Sequence, residues 1–195
     1  MQSANGAENR TESTNTASAS PGPTAADGAK TMDQETLAFI RSVFTLVREG
    51  DADTLRAMVE KGLPVNFRND KGDSLIMLAS YHGHLETVRV LLEAGANPNV
   101  ANDQGQTPLA GVAYKGFFEI AELLLKHGAL VEGASPDGKT PLMMAAMFNR
   151  PAIVELFLAH GANLNAVDSR GMTAITLAQS MGAADTLAQL QALAN

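Results

Sequence analysis

Glycines recur in this chain at a fixed interval of 33 residues, in three separate series. The members are Gly72, Gly105, Gly138 and Gly171; Gly62, Gly95, Gly128 and Gly161; and Gly50, Gly83, Gly116 and Gly182, with Asn149 interrupting the last series. Three series that share one period are typical of stacked repeats, in which each unit buries its apolar face against its neighbours. The spacing therefore predicts an array of similar units that presents an extended surface.

The composition allows such an array and indicates what fills its core. The chain has 195 residues, of which 45% are apolar, and this is enough for one domain with a substantial core. Aromatic residues make up only 5% and Trp is absent, so the core must consist mainly of Leu, Ala, Val, Ile and Met. Side chains of this kind suit short helices that pack closely.

The net charge and the absence of certain residue types indicate which kinds of partner and which cellular compartment to expect. The net charge is −7 and the basic residues are scattered, so a nucleic-acid-binding patch is absent and a basic partner is favoured. Residues 1–30 lack the apolar run of a secretory signal, and no stretch reaches the roughly 18 apolar residues that cross a membrane. Cys is absent, which fits a reducing compartment. We expect a soluble, cytoplasmic, monomeric protein that binds neither nucleic acid nor membranes.

The start of the chain differs in composition from the rest. Residues 1–30 are rich in Ser, Thr, Ala, Asn, Gly and Pro and contain no Leu, Ile, Val or Phe. Too little apolar surface is available to offset the entropy of ordering, so a disordered tail is predicted. Met32 offers an alternative start, which leaves open whether this tail is native. The repeat domain is predicted to span residues 31–195, with Asp33 as the N-cap of its first helix.

One unit shows the local signals that define each repeat. Thr107 can cap a helix whose first residue is Pro108, a position where the missing amide proton costs no hydrogen bond. That helix ends before Gly116, where a left-handed backbone is accessible. A second helix is predicted over about 118–127 and ends in the same way before Gly128. Each unit is thus predicted to be a pair of short helices followed by a turn.

These segments resemble ankyrin repeats. The T-P-L-H-x-A box of that family has two close matches and two degenerate ones, which are Thr107-Pro108-Leu109, Thr140-Pro141-Leu142, Ser74-Leu75-Ile76 and Thr173-Ala174-Ile175. The resemblance covers five units, at about 34–68 (N-terminal cap), 69–101, 102–134, 135–167 and 168–195 (C-terminal cap). It implies an all-α solenoid of stacked helix-turn-helix pairs with β-turn or hairpin fingers, whose concave face typically binds other proteins.

The sequence departs from the family at the box histidine. Its place is taken by Met77, Ala110, Met143 and Thr176. In the family this histidine helps to tie neighbouring loops together. We therefore expect looser hydrogen bonding between units, offset by apolar packing.

The resemblance also indicates where a partner would bind. The residues just before the third glycine series fall at the exposed, concave end of each first helix, and they are Tyr81-His82, Tyr114-Lys115, Met147-Phe148 and Ser180-Met181. Tyr, Phe and Met are enriched at the centres of interfaces, which favours a continuous row of anchors. The alternative is that these side chains partly bury against neighbouring first helices.

Finger residues would form a polar rim around those anchors. The predicted rim consists of Asp70, Lys71, Asp73, Gln104, Gln106, Asp137, Lys139, Arg170 and Met172. For each residue alone, a solvated turn is an equally good interpretation. At the adjacent positions Phe117 and Phe118, one ring is expected to pack inward and the other to be exposed.

Two motifs suggest other chemistry but fit the repeat better. The segment 133–140 matches the phosphate-binding pattern G-x-x-x-x-G-K-[ST], yet a helix precedes it where a strand is needed and Pro136 lacks an amide proton. His82, His84 and Glu86 suggest a metal site, but Gly83 breaks the helix that would hold them in register. We therefore expect no cofactor, no metal and no catalytic residues.

The function predicted from these features is non-catalytic protein–protein interaction through the concave face. A more specific hypothesis is an inhibitor or immunity-type regulator of a partner enzyme, whose identity is unknown. Two alternatives remain open at this point, which are a structural scaffold and a nucleotide-dependent enzyme that uses the segment 133–140.

Overall fold

The computed structural model describes residues 33–194, and within them the chain forms ten α-helices. In chain order these are α1 (Gln34–Glu49), α2 (Ala52–Glu60), α3 (Leu75–His82), α4 (Leu85–Glu93), α5 (Pro108–Lys115), α6 (Phe118–Lys126), α7 (Pro141–Met147), α8 (Pro151–Ala159), α9 (Ala174–Met181) and α10 (Ala184–Ala194). The tail predicted at residues 1–30 lies outside the described residues and stays a prediction.

The helices pair in sequence and stack in two rows. The first row contains α1, α3, α5, α7 and α9, and the second row contains the partner of each. In the described part of the chain the fingers are tight turns without strands, with an isolated bridge between Arg68 and Ser74. The predicted all-α solenoid of stacked helix pairs is confirmed.

Helix starts follow the predicted capping chemistry. Asp33 caps α1 by accepting a hydrogen bond from the Thr36 amide at 2.7 Å. Thr107 and Thr140 cap α5 and α7 through their hydroxyls, and a proline opens each of these helices. A cap of this kind contributes about 1 kcal/mol to helix stability, so every unit carries its own local start signal.

The core lies between the two rows. Fully buried leucines from both rows fill it, including Leu75, Leu91, Leu109, Leu124 and Leu142. Fully buried alanines in the first row leave room for neighbouring helices to approach closely, and they are Ala79, Ala113, Ala145, Ala146 and Ala178. Each buried leucine contributes about 1.5–3 kcal/mol relative to an exposed one. The stacking that this burial produces holds the fingers and first helices in a fixed relation.

Asparagine side chains tie successive units together. The Asn99 amide nitrogen donates to the carbonyl oxygen of Gly128 at 2.9 Å, and its oxygen accepts from the amide of Leu130 at 2.8 Å. Asn66 makes the same two bonds one unit earlier. Hydrogen bonding between units is therefore present at the asparagine position, although the box histidine is missing.

Candidate binding groove

A concave groove of about 1110 Å³ runs between the fingers and the first-row helices α3, α5 and α7. Of the residues predicted from sequence, it is lined by Lys71, Asp73, Tyr81, His82, Gln104, Gln106, Tyr114, Asp137, Lys139, Met147 and Phe148. The predicted residues outside this lining are Asp70, Lys115, Arg170, Met172 and Met181. Most of the predicted set thus falls on one continuous surface of the central three units.

Three aromatic rings form a row along the helix-end side of the groove. The rings of Tyr81 and Tyr114 stack with centroids 6.3 Å apart and planes within 9°. Phe148 meets Tyr114 edge-on at 4.5 Å. The two tyrosines keep 40% and 37% of their surface exposed, while Phe148 is half-buried. This aromatic row is therefore both packed against itself and accessible, which combines the two interpretations drawn from sequence.

The groove floor was missed in the sequence analysis. It is formed by Leu78, Gly111 and Met144, which occupy equivalent positions in three successive units. Gly111 lies inside α5 and belongs to none of the three glycine series with a 33-residue period. A glycine that the repeat does not require was the feature of the sequence that could have indicated this part of the groove. Other lining residues that were not predicted are Met77, Asn102, Asp103, Thr107, Ala110, Ser135 and Pro136.

Two carboxylates of the first two fingers, those of Asp73 and Asp103, are engaged within the chain. Asp73 accepts a hydrogen bond from the Asn102 side chain at 2.9 Å. Asp103 forms an ion pair with Arg68 at 3.0 Å, and its amide donates to the carbonyl oxygen of Lys71 at 3.1 Å. These contacts connect adjacent fingers and hold the rim in place.

The next finger contains the segment that matches a phosphate-binding loop. Its lysine, Lys139, binds the Asp137 carboxylate, which also accepts a hydrogen bond from the Ser135 hydroxyl. The amides of Ser135 and Gly138 close the turn by donating to backbone carbonyls at 3.0 and 2.8 Å. Bonding to Lys139 and Ser135 lowers the pKa of Asp137 to about 2. The lysine and these two amides serve the turn, which favours the repeat interpretation of the motif.

The last finger holds two predicted rim residues outside the groove lining. Asp168 is buried, and its carboxylate accepts from the amides of Arg170 and Met172 at 2.9 Å each. The Arg170 guanidinium pairs with the same carboxylate at 3.2 Å. These contacts, with the Met172 amide foremost, lower the pKa of Asp168. Arg170 and Met172 thus take part in a turn built around Asp168.

Cationic side chains collect at the helix-end side of the groove, where Lys115 lies beside the lining residue Tyr81. The Lys115 ammonium lies 4.7 Å from the centroid of the Tyr81 ring. Burial lowers the pKa of His82, and repulsion by His84, Arg48 and Lys115 lowers it further. In the part of the chain that the structure describes, Lys115 forms no ion pair. This side of the groove therefore carries an unneutralised positive charge.

The candidate metal residues do not converge. The His82 and His84 rings stack at 6.1 Å, and the second ring donates from Nε2 to the carbonyl oxygen of Arg48 at 2.7 Å. Within residues 33–194, no three or more His, Cys, Asp or Glu side chains are arranged to hold a metal ion. None of the helices over the same range is long and apolar enough to span a membrane.

Comparison with known proteins decides the family. A family model described as ankyrin repeats in three copies matches residues 43–132 and 129–193. The chain belongs to the ankyrin repeat family. Over 53 residues it is also 53% identical to an ankyrin repeat protein of Pseudomonas aeruginosa. That match covers 27% of this chain and 31% of the Pseudomonas protein. Ankyrin repeats generally mediate protein–protein interaction.

Proposed function

We propose that this ankyrin repeat chain is a non-catalytic module that holds a segment of one partner protein in its concave groove. The observation that carries the proposal is the aromatic row. Tyr81 and Tyr114 lie side by side in α3 and α5, Phe148 follows the last residue of α7 and contacts Tyr114, and both tyrosines remain accessible. Tyrosine supplies a large contact area with few rotatable bonds, which is why it dominates many interface centres.

The size and rim of the groove suit a polypeptide better than a small ligand. Its volume of about 1110 Å³ lies above the usual range of small-molecule pockets, about 300–1,000 Å³. Finger side chains such as Gln104 and Gln106 are exposed along one edge, where amides can bond to a partner backbone. An apolar floor with a polar rim is the usual anatomy of a protein interface.

The more specific form of the proposal is an inhibitor or immunity-type regulator. A rigid concave surface that encloses a segment of an enzyme excludes other molecules from that segment. Regulation would therefore follow from occupancy alone. The partner enzyme would lose activity when bound and regain it on release.

A pull-down from native lysate tests the binding proposal. The wild-type chain is compared with the double variant Tyr81→Ala, Tyr114→Ala, after circular dichroism shows that both are folded. Phe118→Ala is the matched control, because this ring is 36% exposed but lies on second-row helix α6. We expect one partner to be captured by the wild type and the control and lost by the double variant. Truncating a true anchor typically costs about 2 kcal/mol or more of binding free energy.

Different outcomes test the binding role and the inhibitor role. A partner retained equally by the double variant would place the contact outside the aromatic row and contradict the groove assignment. The captured partner is then assayed with and without the purified chain. Unchanged partner activity would remove the inhibitor hypothesis while leaving the binding role intact.

A further inference from the structure

Some charged side chains in and beside the groove form ion pairs within the chain, and others do not. The carboxylates of Asp103 and Asp137 form ion pairs with their own cations, and Asp73 accepts a hydrogen bond from an asparagine. By contrast, Lys71 and Lys115 have no carboxylate partner among residues 33–194. Asp73 keeps its negative charge beside Lys71, so the positive charge left available for a partner lies at the helix-end side, at Lys115 next to the groove lining, although the chain carries a net charge of −7.

Lys115 is also positioned for recognition. Its ammonium lies 4.7 Å from the centroid of the Tyr81 ring, so a cation–π contact orients it beside the aromatic row. Burial lowers the pKa of neighbouring His82, and the basic side chains of His84, Arg48 and Lys115 lower it further. An incoming carboxylate would meet a favourable local field and a charge-assisted hydrogen bond.

The overall negative charge does not cancel this preference. At physiological ionic strength, exposed charges farther apart than about 8 Å are largely screened. A carboxylate bound next to Lys115 therefore responds mainly to the cations around it. The net charge influences how fast an acidic partner approaches, whereas the local cations determine which side chains are held in the groove.

The floor of the groove contains a notch at Gly111. The equivalent positions in the flanking units carry Leu78 and Met144. Gly111 lies inside a helix, where glycine destabilises relative to alanine. A Cβ placed there would meet the Tyr81 ring at 3.7 Å, an ordinary contact, so packing within the chain does not require glycine. The space is therefore open to a ligand and lies beside the Tyr81 ring.

We propose that the groove binds an extended acidic segment of a partner protein. A large apolar side chain of this segment occupies the notch over Gly111, and a carboxylate a few residues away pairs with Lys115. This inference rests on the proposed function and specifies the chemistry of its ligand. It replaces the basic partner expected from the net charge of the whole chain.

Selection from a displayed library of random 12-residue peptides tests this specificity directly. Against the wild-type chain, we expect enrichment of peptides that combine Asp or Glu with Leu, Met, Phe or Tyr. Lys115→Glu should reverse the charge preference towards Lys and Arg. Gly111→Leu should remove the preference for the large apolar residue while the acidic preference remains. Ala57→Leu, on the exposed surface of second-row helix α2, is the control and should select the same peptides as the wild type.

Gly111→Ala provides a test in which stability and binding change in opposite directions. The extra methyl group fits the helix, so the urea midpoint should rise. The same methyl group narrows the notch, so the affinity of a selected peptide should fall by about tenfold. If neither Gly111→Ala nor Gly111→Leu weakens that peptide, the notch is not a binding pocket and the inference is wrong.

The remaining outcomes separate this inference from the proposed function. Enrichment of basic peptides that are lost by Tyr81→Ala, Tyr114→Ala would overturn the acidic specificity but support the groove as a binding site. Acidic peptides that bind this double variant as well as the wild type would overturn the inference, because the site would lie elsewhere. A selection that enriches no peptide would also overturn it, while the lysate experiment would still test the groove with a folded partner.

Discussion

The Phe117 ring lies directly over Gly83 of the preceding unit. A Cβ at Gly83 would stand 2.8 Å from the ring carbon Cζ, closer than packed carbon atoms approach. The same relationship occurs one unit earlier, where the His84 ring covers Gly50. The residue that follows the glycine at the end of a first-row helix, His84 or Phe117, therefore packs on the corresponding glycine of the preceding unit and fastens the two units together.

This contact predicts unequal costs for two alanine substitutions in the same unit. Gly83 and Gly95 have nearly equal φ values of +84° and +83°, but nothing lies within 4 Å of a Cβ at Gly95. Gly95→Ala should cost only the left-handed backbone strain, about 1–2 kcal/mol. Gly83→Ala should add overpacking against Phe117, about 1–3 kcal/mol more. Urea unfolding of both variants measures the difference, and equal losses would mean that Phe117 moves aside freely.

The hydrogen bond that accompanies this packing varies from unit to unit. His84 donates to the carbonyl oxygen of Arg48 at 2.7 Å, and Arg150 donates to that of Tyr114 at 3.3 Å. Phe117 occupies the equivalent position and has no donor. Its inward packing, with Phe118 exposed, could not be assigned from sequence because the space it fills belongs to a unit 33 residues away.

Local signals explain why the fold was predictable. The caps at Thr107 and Thr140 and the helix-ending glycines depend on neighbours within a few residues, and the sequence shows them directly. Tyr81 and Tyr114 were predicted as groove residues because the family places this position at the concave helix end. The floor at Gly111 and the engagement of Asp137 by Lys139 depend on side-chain geometry, which periodicity does not describe.

The asparagine contacts predict that one substitution lowers stability and that another, at the equivalent position of the next unit, raises it. Asn99→Ala removes two hydrogen bonds between units and should cost about 1–2 kcal/mol. Glu132 occupies the same position one unit later but only accepts, from the Asn163 amide at 2.8 Å. Glu132→Asn would supply the missing donor and should add about 0.5–1 kcal/mol. Urea unfolding measures both changes, and the stabilising substitution fails as a prediction if the midpoint falls.

Ser80 predicts a stabilising substitution in the core. Its side chain is fully buried, and its hydroxyl has no hydrogen-bond partner among residues 33–194. The equivalent positions in the next two units are Ala113 and Ala146, both fully buried. Ser80→Ala should raise the free energy of unfolding by about 1 kcal/mol, because it removes an unpaired polar group. Ala113→Ser is the reverse control, and a destabilised Ser80→Ala would show that the hydroxyl is satisfied in solution.

The lowered pKa of Asp137 predicts that its finger contributes less to stability in acid. This pKa is about 2 in the folded chain, below its ordinary value of 3.8, because Lys139 and Ser135 bind the ionised form. The contribution to stability is therefore fully present above pH 3.8 and is lost as the pH falls towards 2. Asp137→Asn should lower stability at pH 7 but leave it near the wild-type value at pH 2.

Urea unfolding across this pH range measures the effect of Asp137→Asn. Asp70→Asn is the matched control, because the Asp70 side chain makes no hydrogen bond or ion pair within residues 33–194. The pKa values of Asp33, Asp51 and Asp168 are also lowered. The Asp137→Asn variant should therefore still lose stability in acid, but its free energy of unfolding should depend less steeply on pH. If the variant and the wild type lose unfolding free energy equally with falling pH, the Asp137–Lys139 pair is as well solvated in the folded chain as in the unfolded chain. The finger would then be held by its backbone turn alone.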